Sequence, residues 1–416
     1  MSQYIIKGNI PLEGKIRIHG AKNAVLPILA ASVVSGRESV IYDCPDLSDV
    51  TESLEILRFL GCSAEFNDGT VTVNSENLIT DEVPEHLMLK MRSSVIFLGA
   101  LIARCKSGRV TLPGGCEIGP RPIDLHLKAF REMGIDINEE GGIISCDARN
   151  MKSAKIHLDF PSVGATENIM LAAMGAKGET VISNAAKEPE IVDLQNYLNK
   201  AGFNVRGAGS DRIYIEGAPS GINSEHRIIP DRIEAATYAC AVLMTGGRAE
   251  ITNVKAEHLE SFLSLVKDSG ADIGINKGSL EIFPGKRLKA VKRVRTYPYP
   301  GFPTDMQSVF MSLMTLSEGT GIITENIFHD RFRHVDGLRK MGADIVTDGN
   351  VAIINGVEKL KGARVTASDL RGGAALTIAA LSAYGESVVD KLCYIDRGYE
   401  KFEHNLRSLG ADIQRK

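Results

Sequence analysis

Six stretches of the chain are apolar on almost every face: AVLPILAASVV, SVIFLGALIA, NIMLAAMGA, AATYACAVLM, SVFMSLMTL and ALTIAALSA. A helix with no polar stripe has to be buried on all sides. After each comes a short alternating stretch, then an amphipathic run that stops at a glycine, then alternation again. The stopping glycines are Gly61, Gly134, Gly202, Gly270, Gly342 and Gly410, in LGCSAEF, MGIDINE, AGFNVRG, SGADIGI, MGADIVT and LGADIQR. They recur about every 70 residues, which marks an internal repeat. A glycine at the end of an amphipathic run suits a left-handed helix stop. The alternating residues beyond it read as strands, and Asp68-Gly69 and Asp348-Gly349 supply hairpin turns between them.

Each unit therefore reads as β-α-β-α-β-β, and there are six. The sixth has only one strand after its second helix, while a strand in QYIIKGNI stands ahead of the first unit with no unit of its own. This predicts an N-terminal strand that completes the last unit. The chain then divides into two α/β domains of three units each. One covers 22–229, and the other covers 230–416 completed by 1–21, with junctions at Ala21-Lys22 and Ile229-Pro230. A solenoid is the other architecture such a repeat can build, but helices buried on all sides favour compact bundles.

Composition narrows the possibilities. At 416 residues the chain is too long for one core. Its 44% apolar and 24% charged content is that of an ordinary globular protein. A net charge of -4 excludes a global basic character, so neither nucleic acid nor an anionic membrane is expected as partner. MSQYIIKGNIPLEG does not have the layout of a signal peptide, and no apolar run approaches the roughly 18 residues of a membrane span. The expectation is a cytoplasmic protein. Seven cysteines at 44, 62, 105, 116, 146, 240 and 393, with no Cys-x-x-Cys pair, fit reduced thiols. Of these, Cys105 and Cys240 fall in apolar helices, and Cys146 and Cys393 in strand-like stretches.

Polar residues gather just ahead of the helices. The buried helices are preceded by Lys22-Asn23, Arg92-Ser93, Ser162 to Thr166, Asp231-Arg232, Thr304-Asp305 and Arg371-Gly372, and second helices by Cys116 to Arg121, Arg331 and Arg397. Helix N-termini attract anions through unpaired N–H groups and the helix dipole. A cation there opposes the dipole, which makes better sense with an anion between them. Singly, each is an ordinary surface residue; their repetition points to a multiply anionic ligand.

Cys116 lies in TLPGGCEIGPRPIDLH, beside three glycines, Arg121 and a helix start. The bland reading is an inert thiol, but a helix N-terminus and a guanidinium both favour thiolate. In YPYPGFPTDMQS the first reading is a helix cap, by Thr304 or by Asp305 itself, and the alternative is Asp305 as a general base. His126 reads as an amphipathic-helix residue. No Walker motif, H-E-x-x-H or carboxylate cluster is found, so neither metal nor cofactor is expected.

Taken together, GAKNAVLPILAA, KMRSS, LPGGCEIGPRPIDLH, PSVGAT, FPTDMQ, ENIFHDRFRHV, DLRGGAAL and YIDRGYE resemble the UDP-N-acetylglucosamine enolpyruvyl transferase family, in the family's order and from about residue 7 to the C-terminus. The resemblance implies an inside-out α/β barrel fold of two domains. It also implies transfer of the enolpyruvyl group of phosphoenolpyruvate to the 3'-hydroxyl of UDP-N-acetylglucosamine with release of phosphate, the first committed step of peptidoglycan synthesis. Carried over, Lys22, Arg121 and Arg397 hold the phosphate of phosphoenolpyruvate, Arg331 and Arg371 surround its carboxylate, and Asn23 contacts the sugar or the tetrahedral carbon. Arg92, Arg121, Pro122, Ile123, Asp124, Leu125, Ser162, Val163, Gly164 and Ile327 hold the sugar nucleotide. Asp305 is the general base, and Cys116 the general acid and the site of alkylation by fosfomycin. Phe160 stands where some members have a lysine. The sister enzyme acting on shikimate 3-phosphate has an N-A-G-T run where this chain has KNAVLP, and a non-catalytic UDP-sugar binder would need few of the charged residues named.

Overall fold

The computed structural model describes residues 2–112, 123–217 and 220–416. Its fold is mixed α/β, built on six four-stranded sheets of one design. In each, two parallel strands are joined by an antiparallel pair. In the third repeat, for example, Lys155–His157 runs parallel to Glu179–Ser183, with the buried helix Val163–Ala173 between them in sequence. Arg212–Glu216 and Asn204–Arg206 then extend the sheet antiparallel. A parallel pair needs such a crossover, and the apolar helix supplies it.

Two units, each with its own apolar core, share the six repeats. Among the described residues, one comprises 20–112 with 123–229, the other 2–19 with 230–416. The first is built around the helices Lys22–Ser35, Ile96–Cys105 and Val163–Ala173, the second around Arg232–Thr245, Thr304–Thr315 and Leu370–Ser382. All of Lys22–Ser35 except Asn23 is buried, as the pattern of apolar residues requires. Within the first unit Gly99 permits a close approach of two buried helices, since a Cβ there would meet Asn168 Oδ1 at 2.2 Å and its carbonyl oxygen at 2.3 Å.

The six stopping glycines all have positive φ, from 76° at Gly134 to 101° at Gly61, a conformation open to glycine at little cost. Both hairpin turns form, with a shift in the second: Asp348 pairs with Val351, so Gly349 and Asn350 are the turn residues. Cys393 differs from expectation too. It is exposed in the 3-10 turn Leu392–Arg397 because the strand before it already ends at Asp390.

The N-terminal segment carries two strands rather than one. Gln3–Lys7 lies between Glu386–Asp390 and Asp412–Arg415, antiparallel to both, in the sixth sheet. Glu13–Arg17 runs parallel to Arg248–Thr252 in the fourth. Ser224–Arg227 takes the corresponding place beside Glu38–Tyr42 in the first. Buried carboxylates fix the chain at both crossings. Glu234 accepts from the His19 backbone N–H at 2.9 Å and lies 2.9 Å from its Nδ1; Asp193 accepts from Ile229 N at 3.2 Å and lies 3.0 Å from His226 Nε2. No helix among the described residues is long and apolar enough to cross a membrane.

Candidate active site

In the unit of residues 2–19 and 230–416, three of the residues singled out from sequence meet. The Thr304–Thr315 helix begins after Pro303 with no side-chain cap, so Asp305 is a first-turn residue and its carboxylate is turned to other partners. This corrects the reading of Asp305 as a cap: Pro303 occupies the cap position. Arg331 Nη2 donates to Asp305 Oδ1 at 2.9 Å and to the Thr304 carbonyl at 3.2 Å, and Arg371 Nη2 donates to Asp305 Oδ2 at 3.3 Å. Both guanidinium groups are buried, while Asp305 is about a quarter exposed (26%), so the carboxylate marks the open side of the cluster.

Two buried cations on one carboxylate leave positive charge in excess. Asp369 supplies part of the balance. It caps the Leu370–Ser382 helix by accepting from Arg371 N at 3.1 Å and Gly372 N at 3.0 Å, and its Oδ1 lies 3.9 Å from Arg331 Nη1. Nε of Arg331 and Nε of Arg371 are buried without a hydrogen-bond acceptor among the described residues. For Arg371, burial works against the charge, and Tyr399, Asp305 and Asp231 outweigh it, raising the pKa above its ordinary value. The guanidinium lies 5.4 Å over the Tyr399 ring.

Arg397 ends the 3-10 turn Leu392–Arg397, half-buried. Two glycines bring that turn against the helix of Arg371: a Cβ at Gly373 would meet Ile395 Cγ1 at 2.8 Å, and one at Gly398 would meet Leu370 Cδ2 at 2.7 Å. Ile327, half-buried, sits in the loop leading to Arg331, and its backbone N–H donates to Glu325 at 2.8 Å.

The unit of residues 20–112 and 123–229 holds the other candidates. Lys22 opens the helix Lys22–Ser35, and its ammonium lies 2.8 Å from Asp49 Oδ2, both side chains nearly enclosed. Asn23 follows it, and Pro27 offers no N–H to the Asn23 carbonyl four residues earlier. Ser162 caps Val163–Ala173 by accepting from Ala165 N at 3.3 Å, which places Val163 and Gly164 in the first turn. Asp124 and Leu125 begin the helix Asp124–Glu132, with Ile123 at its cap. His126, buried, accepts at Nδ1 from Asn168 Nδ2 at 2.9 Å, tying the start of this helix to the middle of the helix that Ser162 caps. Cys116, Arg121, Pro122 and the Arg92 side chain lie outside the described residues.

Sequence reasoning passed over Asp49, Asn168, Glu325 and Asp369. Glu325 and Asp369 open the motifs ENIFHDRFRHV and DLRGGAAL, but there the arginines drew the reading; Asp49 and Asn168 lie in no motif and matter through partners far along the chain. Burial pushes the thiols of Cys44, Cys62 and Cys146 up to about 12, so these are poor nucleophiles at neutral pH.

A profile of the EPSP synthase family (3-phosphoshikimate 1-carboxyvinyltransferase) matches residues 6–406. The chain belongs to this family of enolpyruvyl transferases. It is therefore a transferase. Its relatives include UDP-N-acetylglucosamine 1-carboxyvinyltransferase 2 of Caldanaerobacter subterraneus subsp. tengcongensis, 49% identical over all of both chains. The UDP-N-acetylglucosamine 1-carboxyvinyltransferase of Halothermothrix orenii is 48% identical, again over the full length of both. Among solved structures, the enolpyruvyl transferase NikO from Streptomyces tendae superposes with a TM-score of 0.90 at 23% identity, covering 100% of this chain and 99% of that one. EPSP synthase from Acinetobacter baumannii gives 0.78 at 18% identity over the whole of both. The six-repeat fold is thus that of enolpyruvyl transferases.

Proposed function

We propose that this enolpyruvyl transferase moves the enolpyruvyl group of phosphoenolpyruvate to the 3'-hydroxyl of UDP-N-acetylglucosamine, releasing phosphate, in the cytoplasm and as the first committed step of peptidoglycan synthesis. The observation that carries the choice of acceptor is the near-half identity, end to end, to relatives bearing the name of that reaction.

The chemistry suits the residues. The substrate's phosphate and carboxylate are met by Lys22, Arg121 and Arg397, and by Arg331 and Arg371, while Asn23 contacts the sugar or the tetrahedral carbon. Planar guanidinium groups pair with both anions in bidentate fashion. Buried donors already fixed before substrate arrives stabilise developing charge without reorganising. In the addition step the 3'-oxygen bonds to C2, its proton passes to Asp305, and the Cys116 thiol protonates C3. In the elimination step C3 returns a proton to the thiolate, the C2–O bond to phosphate breaks with its electron pair going to the phosphate oxygen, and the proton held by Asp305 leaves with phosphate or to solvent. Arg92, Arg121 to Leu125, Ser162 to Gly164 and Ile327 hold the nucleotide sugar.

Phosphate release with both substrates, set against release with shikimate 3-phosphate as acceptor, tests the reading; turnover only with the second acceptor overturns it. Intact-mass and peptide mapping after fosfomycin test the thiol. One adduct at Cys116 is expected, lost in Cys116→Ser and kept in Cys393→Ser, the exposed cysteine serving as control.

A further inference from the structure

Glu325 is buried, 3% exposed, at the end of the strand Thr320–Thr324, and its carboxylate collects four hydrogen bonds from three separate segments. Oε1 accepts from the Thr296 hydroxyl at 2.9 Å, from Ile327 N at 2.8 Å and from Phe328 N at 3.2 Å. Oε2 accepts from the Thr304 hydroxyl at 3.0 Å. Enclosing a carboxylate is costly unless its oxygens are satisfied, and here the donors are two hydroxyls and two backbone N–H groups.

The four donors are not a random set. Thr304 precedes Asp305, and the 327–328 loop leads to Arg331. Thr304 is held at both ends: its hydroxyl donates to Glu325, and its carbonyl accepts from Arg331 Nη2, the same nitrogen that donates to Asp305. The loop from Glu325 to Arg331 and the start of the Thr304 helix are thus closed into a ring, with the Glu325 carboxylate bonded to both the helix start and the loop backbone. Asn350 steadies the near end of the loop, its Nδ2 donating to the Glu325 carbonyl at 3.0 Å.

We infer that Glu325 is a positioning residue, which sets the placement of Asp305 against Arg331 by binding the helix start and the arginine loop to one buried carboxylate. It touches no substrate itself. The inference rests on the reading of Asp305 and Arg331 as substrate-facing groups. A displacement of about an ångström at such groups costs roughly 10- to 100-fold in turnover.

The test compares Glu325→Ala, Glu325→Gln and Thr304→Val. An amide at 325 keeps one oxygen for the three Oε1 donors and presents NH2 to the Thr304 hydroxyl, which can rotate to accept. Glu325→Ala is expected to lower kcat roughly 10- to 100-fold and to raise KM for the nucleotide sugar, since the Ile327 loop is released as well. Thr304→Val severs only the link to the helix and should lower kcat with little change in either KM. Glu325→Gln should recover most of the lost kcat. Wild-type kcat in Thr304→Val, or in a folded Glu325→Ala, overturns the inference. A crystal structure of Glu325→Ala supplies a readout free of activity: Asp305 Oδ1 and Arg331 Nη2 are expected beyond hydrogen-bond distance, and an unchanged 2.9 Å would again overturn it. Should the wild type fail to turn over this substrate pair, the proposed function falls while the crystallographic comparison still decides the role of Glu325.

Discussion

Lys22 Nζ and Asp49 Oδ2 stand 2.8 Å apart with both side chains almost removed from solvent, so the ammonium proposed to meet phosphate is already held by a buried carboxylate. Removing one partner of such a pair strands a charge in a poorly solvating place, whereas removing both does not. Asp49→Asn is therefore expected to lower the unfolding free energy by about 3 kcal/mol. The double variant Lys22→Met with Asp49→Leu should recover most of that loss. Urea unfolding of Lys22→Met, Asp49→Leu and the double variant yields the coupling directly; a double variant as unstable as the sum of those singles would refute it.

Asp305 is the base in the proposed addition step, and two guanidinium groups donate to it in this structure. Asp305→Asn keeps the shape and loses the proton acceptor. Turnover should drop by roughly 10²- to 10⁴-fold, while calorimetry shows the nucleotide sugar still binding. Loss of binding in place of turnover would make Asp305 a structural counter-ion only.

His334 carries a pH dependence of stability. Burial depresses its pKa from 6.5 to about 4, with Asp369 opposing the shift and Arg331 adding to it. Because the folded value lies below the unfolded one, stability is complete above about pH 6.5 and is lost as pH falls toward 4, where the unfolded chain binds a proton that the folded chain refuses. The difference amounts to roughly 3 kcal/mol. Urea midpoints between pH 7 and 4.5 should fall more steeply for the wild type than for His334→Gln; parallel slopes would count against it.

Two helix glycines should respond in opposite ways. Gly99→Ala drives a methyl into Asn168 and should destabilise the protein by about 1–3 kcal/mol. Gly164→Ala meets only the His126 ring at 3.5 Å, so stability should change by less than about 1 kcal/mol. Its position in the first turn of the proposed nucleotide site predicts a raised KM for the sugar nucleotide instead. Thermal unfolding together with substrate titration separates the two effects.

The repeat was legible because its signals are local. Gly61 and its five counterparts announce themselves through the residues just before them, and the apolar helices through their own composition. Lys22, Asp305, Arg331 and Arg371 were found because each stands at a helix start or in a recognisable motif. Asp49 and Glu325 were not, although Glu325 opens the motif that holds Arg331, because a buried carboxylate in an amphipathic helix or at a strand end looks like any exposed one until its partner is known. The two separate strands in residues 3–17 escaped for a related reason. Their breaks are set by the sheets they join, and those partners lie at 386–390, 412–415 and 248–252.

That placement of Gln3–Lys7 gives the protein an unusual order of assembly. The strand leaves the ribosome long before either of its neighbours, Glu386–Asp390 and Asp412–Arg415, is made. Among its described residues, the unit of 20–112 and 123–229 pairs no strand with one made after residue 229, so it can fold while translation continues; the other unit must keep an unpaired, half-apolar strand in reserve until residues 386–415 are made. Contacts so distant along the chain close slowly, and a nascent strand without partners is a hazard for aggregation. Vectorial synthesis therefore favours one half of this enzyme over the other, although both are built from the same repeat.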